Sequence, residues 1–131
     1  MELRVFLAED LASMHALIGE LLSSIGGLRL VGRAATEAEA KLWLTEHPGE
    51  WDVCIADLML DQGSGFGVIA HAAAKPGQGR IVAFSGYMSE GIRAHCLRLG
   101  AEAAFDKADT AGFISWLAQV AASAADKDAA D

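Results

Sequence analysis

Between Val53 and Leu60 the chain reads VCIADLML, an apolar run interrupted by a single carboxylate, Asp57. A charge left in such surroundings is costly unless it is paired, hydrogen-bonded or bound to a metal, so the rest of the chain must bring Asp57 a partner. Val53 to Ala56 reads as a short strand that delivers Asp57 to its end.

On both sides of this run, short apolar segments alternate with longer stretches of helical period, the pattern of βαβ units around a parallel sheet. Val5 to Ala8 is the first strand, and Met14, Leu17, Ile18, Leu21, Leu22 and Ile25 follow at spacings that share one helix face before Gly26 and Gly27 end it. Leu28 to Arg33 is the second strand. Thr36, with Glu39 three residues on, caps a weakly patterned helix that ends near His47, before Pro48. After Val53 to Ala56 comes the loop LDQGSG, then a helix from about Gly65 to Lys75 with Phe66, Ile69, Ala72 and Ala73 inward, then a turn at PGQG. Ile81 to Phe84 is the fourth strand. Ser89 opens a helix that buries Ile92, Cys96 and Leu99 and stops at Gly100. Ala103 to Phe105 is the fifth strand, and a last helix from Thr110 buries Phe113, Leu117, Val120, Ala121 and Ala124. The predicted fold is α/β, a doubly wound five-stranded parallel sheet of order 2-1-3-4-5 in a flavodoxin-like arrangement.

A chain of 131 residues with 53% hydrophobic content has material for one core, so residues 1–125 are expected to form one domain. The tail 126–131, DKDAAD, is too polar to pack, and no output domain is expected. The net charge of −8 opposes direct binding to nucleic acid, and the N-terminus MELRVFLAED is neither a signal peptide nor a membrane span. Cys54 and Cys96 have no CxxC spacing and read as buried, reduced thiols, which suits a cytoplasmic protein. His15, His47, His71 and His95 share no cluster and take no assigned role, and GSGFG at 63–67 lacks dinucleotide-loop spacing.

Four of the five strands end on polar groups: Glu9 and Asp10 after the first, Asp57 after the third, Ser85 after the fourth, and Asp106 with Lys107 after the fifth. In an open parallel sheet these ends share one edge, where ligands bind at the topological switch point. Converging carboxylates repel unless a cation lies among them, and an all-oxygen donor set favours Mg²⁺. Lys107 and the Ser85 hydroxyl then offer a second cation and a hydrogen-bond donor for a phosphoryl group.

On these residues the chain resembles the receiver domain of two-component response regulators, from Leu3 to about Ala125. The family's acidic pair is matched by Glu9 and Asp10, its phosphoacceptor by Asp57, its Ser or Thr by Ser85 and its Lys by Lys107; GAEAAFDKAD resembles the segment around that lysine. The resemblance implies that Asp57 takes a phosphoryl group from a histidine kinase or histidine phosphotransfer protein. It also implies Mg²⁺ held by Asp10, Asp57 and the Met59 backbone carbonyl, with Glu9 acting mainly through water. Catalysis beyond self-phosphorylation and autodephosphorylation is not expected, and the output would be phosphorylation-modulated binding to a downstream protein.

Three departures from the family pattern bear on that output. Ala104 stands where an inward-rotating aromatic is usual, and Phe105 points to the opposite face; Ala108 and Asp61 stand where prolines are frequent. The switch is therefore assigned to Ser85 and Tyr87, and a responsive face is expected around Ile92, His95, Ala104 and Trp116. The competing reading is a receiver-like docking module that works without phosphorylation. A phosphohydrolase would need a second acid where Met59 stands, and a nucleotide-binding flavodoxin-like protein a phosphate-cradling loop after the first strand.

Overall fold

The alternating pattern becomes ten elements in strict βα succession. The computed structural model describes residues 2–75 and 79–130, so most of the turn expected at PGQG lies outside the described residues. The elements are β1 (Leu3–Ala8), α1 (Ala12–Ile25), β2 (Leu28–Ala34), α2 (Glu37–Glu46), β3 (Val53–Ala56), α3 (Gly65–Ala73), β4 (Arg80–Ser85), α4 (Glu90–Leu99), β5 (Ala103–Asp106) and α5 (Thr110–Ala130). The strands form one sheet in the order β2-β1-β3-β4-β5, and every pair is parallel.

Both faces of the sheet are covered, which is why the strands read as continuous apolar runs. One face sets Phe6, Cys54 and Ile81 against Leu44 of α2, Val68 and Ile69 of α3 and Cys96 of α4. The other sets Val5, Leu7, Ile55 and Phe84 against Ile18 and Leu22 of α1 and Phe113, Leu117 and Val120 of α5. Strand register aligns Ala34, Ala8, Ala56, Ala83 and Ala104 in a row on the first face. Ala104 is thus buried among small neighbours, while Phe105 packs on the α5 face, edge-on to Phe113.

Local chemistry accounts for the helix ends. The Thr36 hydroxyl accepts from the Glu39 amide at 3.1 Å, and the Ser89 hydroxyl from that of Ile92 at 3.2 Å. Gly26 and Gly100 close α1 and α4 at φ of 82° and 122°, where a side chain would be strained. The weak pattern of α2 is offset by Trp43, whose ring stacks on Phe6 at 4.3 Å and on His47 at 4.1 Å. Gly32 of β2 makes the room, because a Cβ there would lie 2.5 Å from the indole.

Several expectations are corrected. Leu17 is 40% exposed, since α1 turns Ile18 and Leu22 to the sheet. Val68, absent from the predicted face of α3, is fully buried, and α3 stops at Ala73, short of Lys75. The last helix continues to Ala130, past the end expected at Ala125. Alanine-rich sequence sustains helix without burial, and Asp126 and Lys127 on it are exposed. Cys54 and Cys96 are free and buried, and burial pushes the Cys54 thiol up to about 12. Among the described residues, no helix is long and apolar enough to cross a membrane.

Candidate functional site

The sheet itself sets the backbone of the polar edge. Beyond the strand ends, the Glu9 amide donates to the Ala34 carbonyl, the Asp57 amide to that of Ala8 and the Lys107 amide to that of Ser85. Each side chain therefore leaves a backbone already anchored to a neighbouring strand, and Glu9, Asp57 and Ser85 are buried there at 1%, 5% and 0% exposure.

The partners of Asp57 come from across the chain. Lys107 Nζ lies 2.9 Å from Asp57 Oδ2 and 2.7 Å from Glu9 Oε1, bridging the two carboxylates. The Met59 amide donates to Asp57 Oδ1 at 3.2 Å, and the Ser85 hydroxyl hydrogen-bonds the same carboxylate. Ser85 Oγ in turn accepts from the Tyr87 amide at 3.1 Å. Among the described residues, no buried side-chain nitrogen or oxygen lacks a hydrogen-bond partner.

One lysine serves several acids, and this determines where protons reside. Burial pushes Glu9 up to about 7, helped by its hydrogen bond to Asp57 and opposed by Lys107. Burial also pushes Asp57 up, but hydrogen bonds from Glu9, Ser85, Lys107 and the Met59 amide outweigh it and hold its carboxyl below the usual range. Burial disfavours the Lys107 cation, yet Glu9 and Asp57 more than compensate and raise its pKa. Of the two acids, Glu9 is thus the one that protonates first as pH falls, and Asp57 is held toward the ionised form that a carboxylate nucleophile requires.

Glu9, Asp10 and Asp57 each bring a carboxylate oxygen within 4.8 Å of the others. The donors are all oxygens and carry surplus negative charge, so the residues fit a hard divalent cation. Lys107 holds one of the Glu9 oxygens, and the Asp10 amide donates to the other at 3.1 Å. Met59 turns its side chain outward at 60% exposure, and Tyr87 likewise at 53%.

Of the residues expected on the responsive face, Ile92, His95 and Trp116 are half-buried on α4 and α5, the helices that flank the edge strand β5. Ala104 is buried, and His95 packs against Phe66 of α3 with ring centroids 4.9 Å apart. Trp116 packs on the opposite core. Arg93 of α4 reaches β5, donating from Nε to the Ala104 carbonyl at 3.0 Å. Asp106 turns from the cluster to accept from the Ala108 amide at 2.8 Å, a bond that a proline at 108 could not donate.

Sequence reasoning missed four neighbours. The His15 ring hydrogen-bonds the Glu9 carbonyl. The Ser64 hydroxyl caps α3 by accepting from the Phe66 amide at 3.0 Å. Glu37 accepts from the Ser64 amide at 2.8 Å. A Cβ on Gly65 would collide with the Asp57 carbonyl. Only Ser64 had a local signal, a cap residue immediately before a helical run.

The sequence profile of the response regulator receiver domain matches residues 5–113. No curated protein matches the chain at a significant level. The structure is similar to that of a LuxR-family two-component response regulator from Aurantimonas, with a TM-score of 0.81 and 22% identity over 94% of this chain and 87% of that one. It is similar to the response regulator domain of CheB from Thermotoga maritima, with a TM-score of 0.72 and 25% identity over 82% and 79% of the two chains. A third similar structure is the Borrelia burgdorferi complex of CheX with CheY, BeF3 and Mg²⁺, with a TM-score of 0.73 and 18% identity over 79% and 77%.

Proposed function

Because the chain belongs to the receiver domains of response regulators, we propose that Asp57 accepts a phosphoryl group from a phosphohistidine on a histidine kinase or histidine phosphotransfer protein. The observation that carries this reading is the placement of Asp57: buried, and held by Lys107, Ser85 and the Met59 amide at the switch point of the sheet.

In the transfer, an Asp57 oxygen forms a bond to phosphorus as the P–N bond breaks, and that electron pair returns to the imidazole nitrogen. Lys107, already on Asp57 Oδ2, is within reach of a phosphoryl oxygen without crossing the site. Ser85 can exchange its bond to the carboxylate for one to the phosphate. Glu9 and Asp10, with Asp57, would hold Mg²⁺ together with the Met59 carbonyl. Bound there, the ion would neutralise charge on the transferring group.

Output follows from the same contacts. When Ser85 turns toward the phosphate it releases the Tyr87 amide, so the segment from Ser85 into α4 repacks and a downstream protein reads the change. The protein is no enzyme toward other substrates, and its buried free thiols suit the cytoplasm.

The test is incubation with Mg²⁺ and acetyl phosphate followed by intact mass measurement. One added phosphate is expected, absent without Mg²⁺ and in Asp57→Ala. Absence of phosphate in the wild type would favour a docking module that works without phosphorylation.

A further inference from the structure

The loop that follows the phosphoacceptor is mounted on the first turn of α2, and we propose that Glu37 is a positioning residue for Asp57. The inference rests on the phosphoacceptor reading above. Glu37 Oε1 accepts from the Ser64 amide at 2.8 Å, and the Glu37 amide donates to the Gln62 carbonyl at 3.0 Å. Its second oxygen pairs with Lys41 at 2.6 Å, which leaves Oε1 directed at the loop. Beside these contacts, the Asp61 amide donates to the Ala35 carbonyl at 3.3 Å.

The sequence GSGFG makes this close approach possible. Gly63 adopts φ of 83°, and a Cβ there would lie 2.5 Å from Glu37 Cβ. A Cβ on Gly67 would overlap the Glu37 carboxylate. These two glycines leave the space in which one acidic side chain lies.

From Ser64 the restraint passes to the site by short steps. Ser64 forms an antiparallel bridge with Met59, and the Gly65 amide donates to the Leu58 carbonyl at 3.1 Å. The Met59 amide in turn holds Asp57 Oδ1 at 3.2 Å. Glu37 therefore fixes the donor that orients the nucleophile, and it does so without touching the reacting atoms. An ordinary exposed ion pair with Lys41 would need neither the Ser64 contact nor the two glycines.

Four variants test this: Glu37→Ala, Glu37→Gln, Lys41→Ala and Gly67→Ala. Three quantities are read in each: the Met59 amide resonance in metal-free protein, the rate of phosphorylation by acetyl phosphate with Mg²⁺, and the thermal midpoint. Glu37→Ala should shift the Met59 resonance and slow phosphorylation about tenfold or more, as loss of a supporting contact commonly does. Gly67→Ala should do the same by pushing the carboxylate aside, although alanine favours the helix and spares the fold. Glu37→Gln keeps an acceptor for Ser64, and Lys41→Ala keeps the carboxylate, so both should stay within about twofold of wild type.

An unmoved Met59 resonance in Glu37→Ala overturns the proposal. So does a rate loss that Lys41→Ala shares and that merely follows the thermal midpoint. If the wild type takes no phosphate, the phosphoacceptor reading fails, while the metal-free resonance still decides whether Glu37 positions the loop.

Discussion

Glu9 makes stability fall as pH rises, and Glu9→Gln should abolish that fall. The folded state raises Glu9 from 4.5 to about 7, so between those values the native protein binds more protons than the unfolded chain. The stabilisation from this proton is fully present below the unfolded pKa and is lost as pH climbs through the folded one. At about 1.4 kcal/mol per pKa unit, the shift amounts to about 3 kcal/mol between pH 4.5 and 8. Unfolding entropy scaled to 131 residues converts this to roughly 10 °C in thermal midpoint. Glutamine keeps an acceptor for Lys107 and a donor for Asp57 but carries no titratable proton, so Glu9→Gln should show little of this slope. The assay is urea unfolding of both proteins without divalent ions at several pH values from 5 to 8.5. Comparing the two isolates Glu9 from every group the proteins share. Parallel slopes would refute the upward shift of Glu9.

Millimolar Mg²⁺ should flatten the wild-type slope, because a cation among Glu9, Asp10 and Asp57 favours the ionised acids; a slope unaltered by Mg²⁺ would argue against metal at this cluster. Lys107→Met strips the cation from two buried carboxylates and should cost about 3 kcal/mol at pH 8 but less at pH 5, where Glu9 is protonated; an equal loss at both pH values would contradict the bridge. Gly65→Ala forces a Cβ into the Asp57 carbonyl, where backbone must move, and should lower stability by about 2 kcal/mol or more; an unchanged midpoint would show that α3 can start elsewhere. Met59 and Tyr87 present bulky side chains with no carboxylate or amide to orient water, so autodephosphorylation should be slow. Replacing them together by Asn and Glu should speed phosphate loss, and an unchanged decay would rule out this account.

Much of the site was legible because its signals are local. A strand of four apolar residues ending at Asp57, and its counterparts before Glu9, Ser85 and Asp106, follow from the period of the chain and the polar residues that close each run. Parallel connections then require those ends to share an edge. The caps at Thr36 and Ser89 and the stops at Gly26 and Gly100 were readable for the same reason, since each acts within one turn of helix. Face assignments were less secure: Leu17 and Ile18 are both apolar, and only packing against β1 and α5 decides which turns inward.

The remainder depends on distances that no one-dimensional pattern contains. Lys107 meets Glu9 across 98 residues and Asp57 across 50, and only their simultaneous approach pushes the Glu9 carboxyl up and holds that of Asp57 down. Glu37 meets Ser64 across 27 residues through contacts that depend on how α2 and the β3–α3 loop pack. Residue types and their period thus determined the fold and the groups at its edge. Tertiary structure alone decided which groups touch and where protons reside, because hydrogen bonds and charge interactions depend on ångström-scale separation and on burial, and both exist only once the sheet has closed.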